Sequence, residues 1–170
     1  MNHFTLTVTP IDDLIDVSRQ IIVHGAQAGE RVTLSTRTER NGVTWTSQAT
    51  YIADQNGTLD ISTTAPETGD YQGISAMGPI WSQYPEQTGA REVFNAAVEQ
   101  ALVTTITAHT ASQNSTAAMT QRLCAEGVVR RDVRENGLVG TLFLPEGKGP
   151  FPAVMILNGS GGGINEPRAA

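Results

Sequence analysis

A single cysteine, Cys124, stands in the 170 residues, so an intrachain disulfide is excluded and a reducing compartment, the cytoplasm, is the expected location. No histidine lies near it in sequence, so it reads as a packed thiol rather than a nucleophile. Histidine is also sparse: His3, His24 and His109 lie far apart, without the paired spacing of metal ligands. Each reads as a surface or satisfied histidine, and neither a metal nor a cofactor is expected. No apolar run approaches the roughly 20 residues that cross a bilayer. The amino terminus, MNHFTLTVTPIDDLID, has neither the basic start nor the apolar core of a signal peptide. Charged residues make up 16% of the chain, and the formal net charge is −6. That balance argues against nucleic acid or an anionic membrane as a partner.

What is present is mostly β-pattern. Phe4, Leu6 and Val8 alternate with threonines, and Val32 and Leu34 alternate with threonine and serine. Ile21, Ile22 and Val23 form a further run. Asn41-Gly42 and Asn56-Gly57 supply the positive φ angles of two-residue hairpins, with Val43, Trp45, Ala49 and Tyr51 between them. Short strands broken by turns about every ten residues indicate an antiparallel sandwich of the immunoglobulin-like kind. The segment 70–86, DYQGISAMGPIWSQYPE, carries much of the aromatic content. It reads either as a core strand with a long connection or as a docking surface for a second domain. Val93, Phe94, Ala97 and Val98 suit a helix over 91–100, residues 102–107 read as a strand, and the small polar stretch 111–120 reads as a linker.

Beyond it the character changes. Asn136-Gly137 turns one strand into another, a proline-flanked loop follows, and Ala153, Val154, Met155, Ile156 and Leu157 form an unbroken apolar run. Such a run, followed by glycines, reads as a strand buried on both faces of a parallel sheet. The expected architecture is therefore mainly β: a sandwich over residues 1–118, then the first strands of a truncated α/β-hydrolase sheet over 119–170. Asn165 is placed to cap a helix there, and Pro167 is tolerable in its first turn.

The loop Gly159-Ser160-Gly161-Gly162-Gly163 is the candidate site. Glycine lets the backbone turn sharply and gather N–H groups, which bind a phosphate or the oxyanion of acyl transfer. The dinucleotide fingerprint fails at Ile164, the nucleotide P-loop lacks its lysine, and a serine elbow fails at Asn158. A glycine-rich turn without chemistry remains the alternative. Elsewhere, Asp12, Asp13 and Asp16 read as a solvated turn, and Arg130, Arg131 and Arg134 as exposed strand positions that protect an edge. No nucleophile, base and acid come together in sequence.

Two segments carry a family resemblance: MGPIWS (Met77 to Ser82), with Tyr71-Gln72-Gly73, and RRDVRENGLVGTLFLPEGKGPFPAVMILNGSGGGINEPRAA from Arg130 onward. Together they resemble acyl-CoA thioesterases and bile acid-CoA:amino acid N-acyltransferases, over nearly the whole chain. The resemblance implies a β-sandwich before an α/β-hydrolase domain, and hydrolysis or aminolysis of an acyl-CoA thioester. It implies that the serine or cysteine nucleophile, the aspartate and the histidine lie downstream of the glycine loop. No catalytic side chain is then expected among these residues, and the 170-residue chain alone is expected to be inactive. Gly159, Ser160, Gly161 and Gly162 would contribute backbone N–H groups to the oxyanion hole. The partners implied are the acyl-CoA substrate and the chain's own downstream hydrolase domain. Pro167 departs from the family pattern at the helix start. Two other readings stand beside this one: a non-catalytic β-sandwich interaction module, and a fragment of an esterase or dienelactone-type hydrolase.

Overall fold

A computed structural model describes residues 3–87 and 98–170. The chain divides into two compact units, one of residues 1–91 with 102–121, the other of 92–101 with 122–170.

The first unit is built from β1 (Thr5–Thr9), β2 (Asp12–Leu14), β3 (Gln20–His24), β4 (Arg31–Arg40), β5 (Val43–Ile52), β6 (Leu59–Asp60), β7 (Thr68–Gly69), α1 (Gly78–Trp81), β8 (Tyr84–Pro85), β9 (Leu102–His109) and β10 (Asn114–Arg122). One sheet has the order β1-β3-β6, the other β2-β10-β9-β4-β5-β7, with β8 also on β5. The ladders between these strands are antiparallel wherever the register is defined. Side chains of alternate residues point to opposite faces of a strand. Leu6, Val8, Ile21, Val23 and Leu59 of the small sheet therefore meet Val32, Leu34, Ala49, Tyr51, Ile106, Ala108 and Met119 of the large one in a single buried core. The antiparallel sandwich expected from the alternation is what forms.

Asn41 (φ 52°) and Gly42 (φ 76°) close the β4–β5 hairpin, with Arg40 opposite Val43. Asn56-Gly57 does not make the expected hairpin. β6 pairs with β3 instead, so this turn carries the chain from one sheet to the other. The reason is local bonding. The Asp54 carboxylate accepts the N–H groups of Asn56 and Thr58, both at 2.8 Å, and Ala26 donates its N–H to the Gly57 carbonyl at 3.1 Å. Residues 111–120 are not a linker either. Most of them belong to β10, which pairs with β9 from Asn114 opposite His109 to Gln121 opposite Leu102. Small and β-branched side chains such as Thr116, Ala117 and Ala118 suit a pleated surface as readily as a loop. The helix expected over 91–100 lies largely outside the described residues.

At one end of the large sheet the inward face changes from apolar to hydroxyl. Thr36, Thr38, Ser47 and Thr104 are buried there, beneath α1. Thr36 donates to the Pro79 carbonyl at 3.1 Å, and Ser47 also donates to it. Gln83 donates to Thr36 and Thr38, each at 2.9 Å, and Thr38 meets Thr104 at 2.6 Å. These bonds seat the MGPIWS segment, which is a short helix rather than a core strand. Gly78 is obligatory there because a Cβ would lie 2.2 Å from the Tyr71 ring.

The second unit contains β11 (Val129–Glu135), β12 (Leu138–Leu144) and α2 (Glu166–Ala169). β11 and β12 form a two-stranded antiparallel ribbon turned by Asn136 (φ 52°) and Gly137 (φ 79°), as the sequence predicts. Residues 145–165 form neither helix nor strand. The run 154–157 is thus not the buried strand expected of it: Val154 is 84% exposed, Met155 80%, Ile156 42% and Leu157 79%. A strand needs a ladder partner for its N–H and C=O groups, and none of the described strands pairs with this run.

Candidate functional site

The glycine loop closes on itself. The Gly162 N–H donates to the Gly159 carbonyl at 3.0 Å, and the Asn158 side chain donates through Nδ2 to the carbonyls of Gly162 (2.9 Å) and Gly163 (3.2 Å). The residue that spoils a serine elbow is thus the one that shapes the loop. Gly162 (φ 65°) and Gly163 (φ 84°) occupy the left-handed region, where a β-carbon is strained. Gly159 and Gly161 do not, and a β-carbon on either would meet no atom within 4 Å. Neither torsion nor packing inside this unit calls for glycine at those two positions. The Gly162 N–H is occupied by the turn, whereas no backbone acceptor takes the N–H of Gly159, Ser160 or Gly161 within the loop.

Next to the loop in sequence, Glu166 is held by the hairpin. Arg130 on β11 donates from Nε to Oε2 at 2.9 Å and from Nη2 to Oε1 at 2.6 Å, and Thr141 on β12 donates to Oε1 at 3.1 Å. Asp132 at 3.0 Å and Glu99 at 3.9 Å also face the Arg130 guanidinium. The hydrogen bond from Arg130 holds the Glu166 carboxyl below the usual glutamate range, with Thr141 adding to the effect against the cost of burial. Arg130 is therefore an ion-pair hub rather than a bare edge charge. The sequence holds both residues, but their 36-residue separation left no local pattern to join them. Asn165 stands at the N-cap of α2 without a side-chain cap bond, and Pro167 lies in its first turn.

The remaining candidates do not assemble. Burial, then the charge of Glu99, pushes the Cys124 thiol above its ordinary pKa, the opposite of an activated thiolate. His24 Nδ1 bonds Thr58 at 3.2 Å, and His109 sits at the end of β9 opposite Asn114. Asp12 and Asp13 belong to the short strand β2 rather than to a solvated turn, and Asp13 accepts the Leu14 N–H at 2.8 Å. Among the described residues, no group of three or more His, Cys, Asp or Glu side chains is arranged to hold a metal ion. No described helix is long and apolar enough to cross a membrane.

Residues 16–135 match the family model described as the acyl-CoA thioester hydrolase/BAAT N-terminal region. The chain belongs to this family. Its relatives in that family include the human bile acid-CoA:amino acid N-acyltransferase, 34% identical over 97% of this chain and 42% of that protein. Mouse acyl-coenzyme A thioesterase 6 is 32% identical over 98% of this chain and 41% of its own length. The mouse peroxisomal succinyl-coenzyme A thioesterase is 33% identical over 97% and 41%. The chain thus spans about two-fifths of the length of the curated family members it matches. The matched model covers β3 to β10 and β11, and the glycine loop lies beyond it.

Proposed function

We propose that the chain is the amino-terminal part of an acyl-CoA thioester hydrolase or an acyl-CoA:amino acid N-acyltransferase. In this reading the sandwich domain closes with β10, the residues after it begin an α/β-hydrolase domain, and further chain completes both the sheet and the catalytic set. The observation that carries it is the match of residues 16–135 to a family whose members are named for acyl-CoA chemistry, joined by a glycine loop whose own turn leaves the N–H groups of Gly159, Ser160 and Gly161 without a backbone acceptor. A serine or cysteine nucleophile from the completing domain attacks the thioester carbonyl, and N–H groups of Gly159, Ser160 and Gly161 receive the oxyanion. Collapse expels the coenzyme A thiolate, which is protonated as it leaves. Water or an amino acid amine then takes the acyl group from the enzyme, giving an acid or an amide. Gly162 contributes structure to the loop rather than a donor, because its N–H closes the turn. A reducing compartment such as the cytoplasm suits the lone Cys124, and the peroxisomal relative marks a second compartment to test.

The test compares residues 1–170 with the full natural polypeptide on a medium-chain acyl-CoA, with and without glycine or taurine. The short chain should show no turnover above buffer, and the long one should release coenzyme A thiol. Ser160→Ala in the long form keeps the N–H and should change kcat little. Gly161→Pro removes one N–H, and kcat should fall by roughly 10²–10³; circular dichroism and a melting curve check that the variant folds. Turnover by the short chain, or its collapse in a well-folded Ser160→Ala variant, would overturn the reading. If the long form folds yet turns over no thioester, the chain is a binding module built on its sandwich. Turnover of simple esters or dienelactones alone would point to the esterase reading.

A further inference from the structure

The last ladder residue before the glycine loop is Leu144, and residues 145–165 have no regular structure. On the far side of the loop, Glu166 is fixed by three hydrogen bonds from two strands. Asn158 and Gly162 bond only within the loop, so they shape it without tying it to the hairpin, and an untied loop opens that turn more readily. What relates that shape to the hairpin is the carboxylate three residues beyond Gly163.

We propose that Glu166 is a positioning residue for the glycine loop, clamped by Arg130 and Thr141 so that the loop N–H groups sit at a defined place beside β12. The proposal rests on the oxyanion-hole reading given above. Of the three carboxylates facing Arg130, only Glu166 takes the two-pronged contact, through Nε and Nη2. Asp132 meets a single nitrogen, Nη1, and the Glu99 contact is 3.9 Å long. A fork of this kind fixes direction as well as distance, which a single contact does not. Thr141 donates to Oε1, the oxygen that Nη2 also reaches, and so restricts rotation of the carboxylate. Placement of this accuracy matters for an oxyanion hole because its donors must point at an atom whose negative charge develops only on the way to the tetrahedral intermediate.

The experiment has two arms. The first measures hydrogen exchange in this 170-residue chain at the Gly162 amide, the loop N–H that has an acceptor within the loop. Glu166→Gln and Arg130→Gln should each speed that exchange about 5- to 10-fold, roughly the net worth of one hydrogen bond. The double variant should match the singles, since either one breaks the same contact. Asp132→Asn should leave the loop unchanged, and amides of the β11–β12 ladder should keep their protection in all four proteins. Parent-like exchange in the singles, additive effects in the double, or a hairpin that loosens in step with the loop would each overturn the proposal. The second arm uses the full natural polypeptide with a medium-chain acyl-CoA. There Glu166→Gln and Arg130→Gln should each lower kcat about tenfold with KM within about twofold, as expected for misplaced donors, and Arg130→Lys should lose less than Arg130→Gln because it keeps the charge. An unchanged kcat despite a loosened loop would end the positioning role. A parent without thioester turnover would instead end the functional reading, while the exchange data would still decide the clamp.

Discussion

Two apolar stretches of this chain, the sandwich strands and the run 154–157, have opposite fates. Ile21, Val23, Val32, Leu34 and Ile106 are completely buried, whereas Val154, Met155 and Leu157 stand about four-fifths exposed. The residue types are alike, so side-chain hydrophobicity is not what separates them. In the sandwich every strand finds a ladder partner, and the two sheets cover each other's inner faces. The run 154–157 has no such partner among the described strands, and a backbone without partners keeps its polar groups in water. Apolar patterning states a demand for burial; only neighbouring chain can meet it. Exposed contiguous apolar segments of this kind are interaction sites or aggregation liabilities.

The comparison breaks most easily at Leu34. Leu34→Ala opens a cavity between the sheets and should cost the first unit about 2–5 kcal/mol in urea unfolding. A loss below about 1 kcal/mol would mean that the core is not close-packed and that the contrast with 154–157 is one of degree.

A smaller effect is expected at the Tyr51–Tyr71 pair, whose buried hydroxyls bond one another. Burial first, then the bond to Tyr71, raises the Tyr51 pKa above its ordinary 10. A group raised in the folded state contributes stability that is complete below the unfolded pKa and lost as pH rises beyond it. The first unit should therefore unfold more readily above about pH 10. Tyr51→Phe should cost about 1–2 kcal/mol at neutral pH and flatten that alkaline loss. Melting curves from pH 7 to 11 check both, and an equally steep alkaline loss in the variant would assign the sensitivity to other groups.

The smallest effect belongs to the exposed run. Leu157→Ser should change unfolding stability by no more than about 0.5 kcal/mol, since nothing packs on the side chain. The same substitution should lower self-association of the chain in light scattering or sedimentation. A large stability loss at Leu157 would show that the run is packed in solution and would erase the comparison.

Much of the sandwich follows from the sequence alone because its signals are local. Alternation at Phe4, Leu6 and Val8 states which face is buried, and Asn41-Gly42 and Asn136-Gly137 meet the positive-φ demand of a two-residue hairpin. The glycine loop was legible in part for the same reason, since Gly162 and Gly163 take the positive φ that a run of glycines announces, whereas Gly159 and Gly161 do not. Tertiary structure decided what depends on distant partners. Asn56-Gly57 became a crossing between sheets because Asp54 and Ala26 bond the turn, and the polar stretch around Thr116 became a strand because β9 lay beside it. Glu166 became a fixed point through Arg130 and Thr141, 36 and 25 residues away. A local pattern encodes torsion and facing within a few residues, whereas ladder pairing and ion-pair choice depend on which distant groups the fold brings within about 3 Å.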